Sequence, residues 1–198
     1  LLGYAKLTQG QSIAHVRGMQ VYHADQYVRM DAATRRNLEI TQTLRGEPAP
    51  TLLSLLDTCA TNMGSRLLSN WLHHPLRDRA MLNKRLAAVE QLNELHSKVH
   101  EHLKPCVDVE RITARVALRS ARPRDLSGLR DTLAQLPQLH ATLAANESPL
   151  INELSDVISA DTALVELLQR TIKPEPATLL RDGGVIADGF DTELDEFR

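Results

Sequence analysis

The sequence predicts a mainly α-helical chain with a short β element near its N-terminus. Three observations carry that expectation. Leucine occurs 33 times and alanine 21, and both are strong helix formers. Phe, Trp and Tyr together occur six times, so the aromatic strand formers are scarce. From Thr51 onward the apolar residues return at spacings of three and four, the period of a helix face. At 198 residues, 42% of them apolar, the chain has the size of one large or two small domains and can bury a core.

The elements follow in order. Leu1, Leu2, Tyr4 and Ala5 read as the last turns of a helix that ends near Gln9-Gly10, where glycine suits a left-handed cap. Met19, Val21 and Tyr22, then Tyr27, Val28 and Met30, form two β-prone runs around His23 to Gln26, which predicts a hairpin or paired short strands. Gly46-Glu-Pro-Ala-Pro50 is the clearest break, because two prolines and a glycine disfavour both regular structures. Met63, Leu67, Leu68, Trp71 and Leu72 make one helical stripe, with Trp71 as its core anchor, stopped by Pro75. Asp78 is placed to cap a longer helix carrying Leu82, Leu86, Val89, Leu92, Leu95, Val99 and Leu103. Val109, Ile112, Val116 and Leu118 form the next segment. Pro123 opens another, with Asp125 near its positive end and Leu126, Leu129, Leu133 and Leu136 carrying it to Pro137. Leu150 to Ile158 and Leu164 to Ile172 give two more helices. Leu179 to Phe190 reads as irregular or short extended chain, and Asp191 as the cap of a last helix.

Charge and cysteine usage narrow the function classes. With 23 Lys+Arg against 25 Asp+Glu, the net charge of −2 supplies no global attraction to nucleic acid or an anionic membrane. Cys59 and Cys106 lack C-x-x-C spacing and are expected as free thiols of a cytoplasmic protein. No apolar run approaches a membrane span, and no signal peptide is expected. The chain opens at Leu1 and stops at Arg198 just after Leu194 and Phe197 begin a helical pattern, so its ends are expected to be cuts in something longer.

Several residues invite a chemical reading. His96, His100, His102 and Cys106 have helix-face spacing and zinc-ligand chemistry, but the apolar stripe runs through Leu95, Val99 and Leu103, leaving the histidines beside or opposite the core. No metal site is expected. His73 and His74 stand at a helix end, where a cation favours the last carbonyls. Gly184 and Gly189 satisfy half of a phosphate-binding loop, yet Phe190-Asp191 occupy the positions of its Lys and Ser/Thr. No catalytic residue and no cofactor site are expected. Arg111, Arg115, Arg119, Arg122, Arg124 and Arg130 concentrate positive charge, and the first three repeat every four residues on one predicted helix face. They can grip phosphates or pair internally with Glu110, Asp125 and Asp131.

Four stretches carry a family resemblance: Asp31-Ala-Ala-Thr-Arg-Arg-Asn-Leu-Glu-Ile40; Met63-Gly-Ser-Arg-Leu-Leu68 with Trp71-Leu-His-His-Pro-Leu-Arg-Asp78; Asp108-Val-Glu-Arg-Ile112 through Ala121-Arg-Pro-Arg-Asp-Leu126; and Arg181-Asp-Gly-Gly-Val-Ile-Ala187 through Glu193-Leu-Asp-Glu196. In this order they resemble the core, or lever, domain of bacterial MutS proteins. Residues 137 to 180 match mainly in helical character. The resemblance implies that residues 1–29 end a connector domain and that 30–198 are the first portion of the lever, without the clamp and the helix returning from it. It further implies a full-length homodimer that binds mismatched duplex DNA, uses ATP and magnesium, and recruits MutL, with this segment transmitting between the ATPase, connector and clamp. The missing returning helix implies an exposed apolar face and a tendency to self-associate. An unrelated helical interaction scaffold is the alternative, and a metal-dependent enzyme the more distant one.

Overall fold

The computed structural model describes residues 2–9, 21, 23–144 and 146–198. It is mainly helical: α1 (Leu2–Gln9), α2 (Ala32–Asn37), α3 (Leu52–Leu56), α4 (Asn62–His73), α5 (Arg79–Leu103), α6 (Val109–Ala117), α7 (Pro123–Leu143), α8 (Pro149–Val157), α9 (Thr162–Thr171) and α10 (Thr192–Glu196). Most of these helices start where a short polar side chain accepts the first orphan amides. Asp31 takes the Thr34 amide at 2.6 Å, Thr61 that of Gly64 at 3.1 Å, and Asp191 that of Leu194 at 3.1 Å. Asp78 takes those of Ala80 and Met81, and Asp161 that of Ala163. At α3 the exchange is reciprocal: Ser54 donates its amide to Thr51 Oγ1, and the Thr51 amide donates to Ser54 Oγ.

The described residues divide into two compact units, one within 20–104 together with Thr142–Leu154, the other Pro105–Ala141 with Ser155–Arg198 and α1. In the first, Tyr27 bridges antiparallel to Leu76, held by Val28 N–H to the Pro75 carbonyl at 2.8 Å and Arg77 N–H to the Gln26 carbonyl at 3.0 Å. The β element near the N-terminus is thus a bridge to a distant residue, and residues 24–26 form a single 3₁₀ turn. The Met19 and Tyr22 half of the expected hairpin, and the Gly10 cap of α1, lie outside the described residues.

The second unit has its core where Leu168 and Ile172 at the end of α9 meet Val185, with Leu126, Leu129 and Leu133 of α7 packed against them. A second bridge, Ile172 to Ile186, brings the 182–190 segment back onto α9. Val107 runs close past α7: a Cβ on Gly128 would lie 2.8 Å from Val107 Cγ1, and the Val107 amide is fixed to Thr132 Oγ1 at 2.9 Å.

Two helix expectations are corrected. Pro137 does not end α7, which continues to Leu143. An interior proline forfeits one helical hydrogen bond and costs about 3 kcal/mol, but Leu139 and Leu143 beyond it are both buried, and burying two leucines contributes about that much or more. Trp71 is not a core anchor. It is 40% exposed, with the Arg85 guanidinium 3.9 Å from its ring centroid. The α4 stripe from Met63 to Leu72 spans roughly 180° of the helix, wider than one packing contact covers. Trp71→Ala is therefore expected to cost about 2 kcal/mol, the sum of a partial burial and an exposed cation–π contact, and not the 3–5 kcal/mol of a packed aromatic. Urea unfolding measures the cost, and Trp71 emission close to that of a solvated indole checks the exposure.

Candidate functional site

The arginine cluster surrounds the corner between α6 and α7. Asp108 caps α6 by accepting the Arg111 amide at 3.2 Å, and its other oxygen lies 3.5 Å from the mostly exposed Arg111 guanidinium. Arg115, in the last turn of α6, reaches Asp125 in the first turn of α7 through two parallel bonds, Nε to Oδ2 at 2.8 Å and Nη2 to Oδ1 at 2.7 Å. The same carboxylate accepts the Arg122 amide at 2.9 Å. Burial pushes the Asp125 carboxyl up, and the Arg115 bonds, the Arg122 amide and the two guanidinium charges outweigh it, holding the group below the usual carboxylate range. This is the planar bidentate geometry that arginine provides and lysine cannot.

Arg119 leaves the row. The helix ends at Ala117, Arg119 adopts φ 54°, its amide donates to Val116, and Ser120 N–H donates back to the Arg115 carbonyl at 2.8 Å. That is a left-handed helix stop with arginine at the position where glycine is usual. The helix face expected to carry three arginines carries Arg111 and Arg115 only. Arg119, Arg122 and Arg124 are exposed beyond it.

Arg130 does something its place in a basic run did not signal. Only 8% exposed, it donates to three successive carbonyls, Ile172 at 3.1 Å, Lys173 at 3.0 Å and Pro174 at 3.2 Å, and to Asp131 at 2.8 Å. It satisfies the chain as it leaves α9, where helical amides no longer reach. The signal was present: position 130 sits on the Leu126, Leu129 and Leu133 face, so its guanidinium had to find acceptors inside. The partners, more than forty residues away, were not legible.

The remaining motifs resolve locally. His96 is exposed, and the His102 ring lies 3.1 Å from Thr142 Oγ1. Among the described residues no group of three or more His, Cys, Asp or Glu has metal-holding geometry. Cys59 and Cys106 are not joined in a disulfide, and burial pushes both thiols up from their ordinary value. In the glycine-rich segment Asp188 pairs with Lys173 at 3.0 Å and with Arg198, while Gly189 N–H donates to Asp195 at 2.6 Å. Lys173 and Arg198 are thus held by the Asp188 carboxylate, just before Gly189, and Phe190 stands at the place where a phosphate loop needs a lysine. No described helix is long and apolar enough to cross a membrane.

The arrangement is one of helix corners tied by arginines, with no grouping of nucleophile and base in it. The family model described as MutS domain III matches residues 33–197, a span that takes in α2 to α10 almost whole and the entire arginine corner. By its sequence and its helical architecture, the chain belongs to the MutS domain III family.

Proposed function

We propose that the chain is the structural and allosteric lever of a MutS-like mismatch repair protein, with no catalysis of its own. The observation that carries this reading is the outer face of α5. Leu82, Leu86 and Val89 stand at i, i+4 and i+7 and are 36%, 66% and 64% exposed, an apolar row on one side of a 25-residue helix. Exposed apolar rows of this kind mark surfaces that pack against another element, and a stiff helix covered along its length transmits displacement from end to end. On this reading residues 1–29 close a connector domain and 30–198 begin the lever. ATP with magnesium, mismatched duplex DNA, MutL and a second protomer are engaged by other parts of the full-length cytoplasmic protein. Arg111 and Arg119 make only weak, salt-sensitive contact with DNA phosphates, and Arg115 serves the fold.

The test has two arms. The 198-residue chain alone is expected to show no ATP turnover above a mock preparation and equal affinity for matched and mispaired duplexes; turnover or discrimination by it would overturn the reading. In a full-length protein carrying this segment, Leu86→Gln with Val89→Gln is expected to leave nucleotide binding and mispair binding in place separately. The same pair is expected to weaken the ATP-driven release from mispaired DNA about tenfold, the effect of some 1.4 kcal/mol of lost coupling. Unchanged release would count against a lever role for α5.

A further inference from the structure

A concavity of about 380 Å³ lies between α2, the 40–46 loop and the end of α4. Arg35, Arg36 and His73 line it together with Thr41, Thr43 and Gly46, and no acidic side chain does. The nearest carboxylate in sequence, Glu39, is committed elsewhere: its Oε1 accepts the Leu44 amide at 2.7 Å. The loop is held open by its own bonds, Thr43 N–H to the Glu47 carbonyl at 2.9 Å and Gly46 N–H to the Thr43 carbonyl at 2.8 Å, with Gly46 at φ 85°. Arg35 Nε is buried and has no hydrogen-bond acceptor. A buried guanidinium N–H without an acceptor from the chain is rare, and calls for an acceptor from outside it, a water or an anion. Burial lowers the His73 pKa first, and the Arg35 and His74 charges lower it further.

We propose that this concavity is an oxyanion site that takes one phosphate group, with the Arg35 and Arg36 guanidinium groups as its charged donors and the Thr41 and Thr43 hydroxyls beside them. Guanidinium groups match the oxygen geometry of phosphate, two arginines line the same concavity, and the ligand supplies an acceptor for Arg35. It also supplies the negative charge that His73 lacks. The site is independent of the lever reading, since it needs neither the α5 face nor any other part of a larger protein.

Inorganic phosphate is the first probe, titrated into the 198-residue chain at low ionic strength while the His73 ring is followed by NMR. Saturable binding is expected, with the His73 titration midpoint moving up by about one pH unit as a phosphate anion joins the Arg35 and His74 charges that act on the ring. Arg35→Gln with Arg36→Gln is expected to weaken binding about a hundredfold and abolish that shift while the helical signal stays. Arg36→Gln alone is expected to weaken it about tenfold, which keeps the test sound if the double variant fails to fold. Arg181→Gln, at an 82% exposed side chain, is expected to change nothing. A short duplex and a nucleoside diphosphate are then used as competitors. Displacement at lower concentration by the duplex identifies a backbone phosphodiester as the source, the reverse order identifies a nucleotide, and displacement by neither leaves free phosphate as the occupant. Absence of a saturable response to phosphate, or an equal response in the Arg36→Gln variant, would overturn the proposal.

Discussion

Replacing Arg130 with alanine is expected to destabilise the Pro105–Ala141 and Ser155–Arg198 unit by about 3–5 kcal/mol, the usual loss when one partner of a buried charged network is removed. The reason is the number of groups it leaves behind. The carbonyls of Ile172, Lys173 and Pro174 all accept from this one guanidinium, the first in a buried bond and the other two in partly buried ones, and an acceptor left alone adds a desolvation cost that grows with its burial. They also lie where the chain turns from α9 toward Val185, whose carbonyl holds the Lys173 amide at 3.0 Å. Loss of Arg130 is therefore expected to open the Ile172 to Ile186 bridge before the helices unfold. Urea unfolding gives the total cost, and amide exchange at Lys173 and Ala187 reports the local opening. Arg130→Lys is expected to recover only part of the loss, because a single ammonium cannot serve three carbonyls in the fork geometry. A cost below about 1 kcal/mol for Arg130→Ala would mean that water replaces the guanidinium.

What the sequence made legible here was local. Asp78, Asp191, Pro123 and the α4 to α6 boundaries are set by interactions within one helical turn, a cap accepting an amide three residues on or a proline whose missing N–H does no harm in a first turn. Those signals do not depend on the rest of the fold. Trp71 and Pro137 depended on it entirely. Periodicity identifies an apolar stripe but not how much of it a neighbour covers, and a proline inside a helix is decided by the burial beyond it, here of Leu139 and Leu143. The arginines divide the same way. That Arg115 could meet Asp125 was readable from ten residues of spacing; that Arg119 would stop a helix in place of glycine, and that Arg130 would bind carbonyls beyond α9, required the tertiary path of the chain. The pocket lined by Arg35, Arg36 and His73 joins residues nearly forty positions apart, so only the fold reveals it.

The second large effect is expected at Asp125, and its pH dependence separates an ion pair from simple packing. At pH 7 Asp125→Ala removes two guanidinium bonds and the acceptor of the Arg122 amide. The expected cost is about 2–3 kcal/mol, the scale for hydrogen bonds to charged groups, held to the lower part of that range because Arg115 is 38% exposed. Asp125→Asn keeps the shape and one acceptor and is expected to cost about 1–2 kcal/mol. The folded carboxyl titrates below its unfolded value, so its contribution is fully present above the unfolded value of about 4. It is lost as pH falls through the depressed folded value. Asp31, Asp57 and Asp188 are shifted in the same direction by their own partners, and acid unfolding of the whole chain therefore cannot be assigned to any one of them. The difference between wild type and Asp125→Asn can. It is expected to stay level from pH 7 to about 5 and to shrink toward zero as pH falls below 4. A double-mutant cycle with Arg115→Gln is expected to return a coupling of about 1–2 kcal/mol at pH 7 and little at pH 3. A difference that stays constant down to pH 3 would show that Asp125 acts through packing and the Arg122 amide, with Arg115 contributing nothing by its charge.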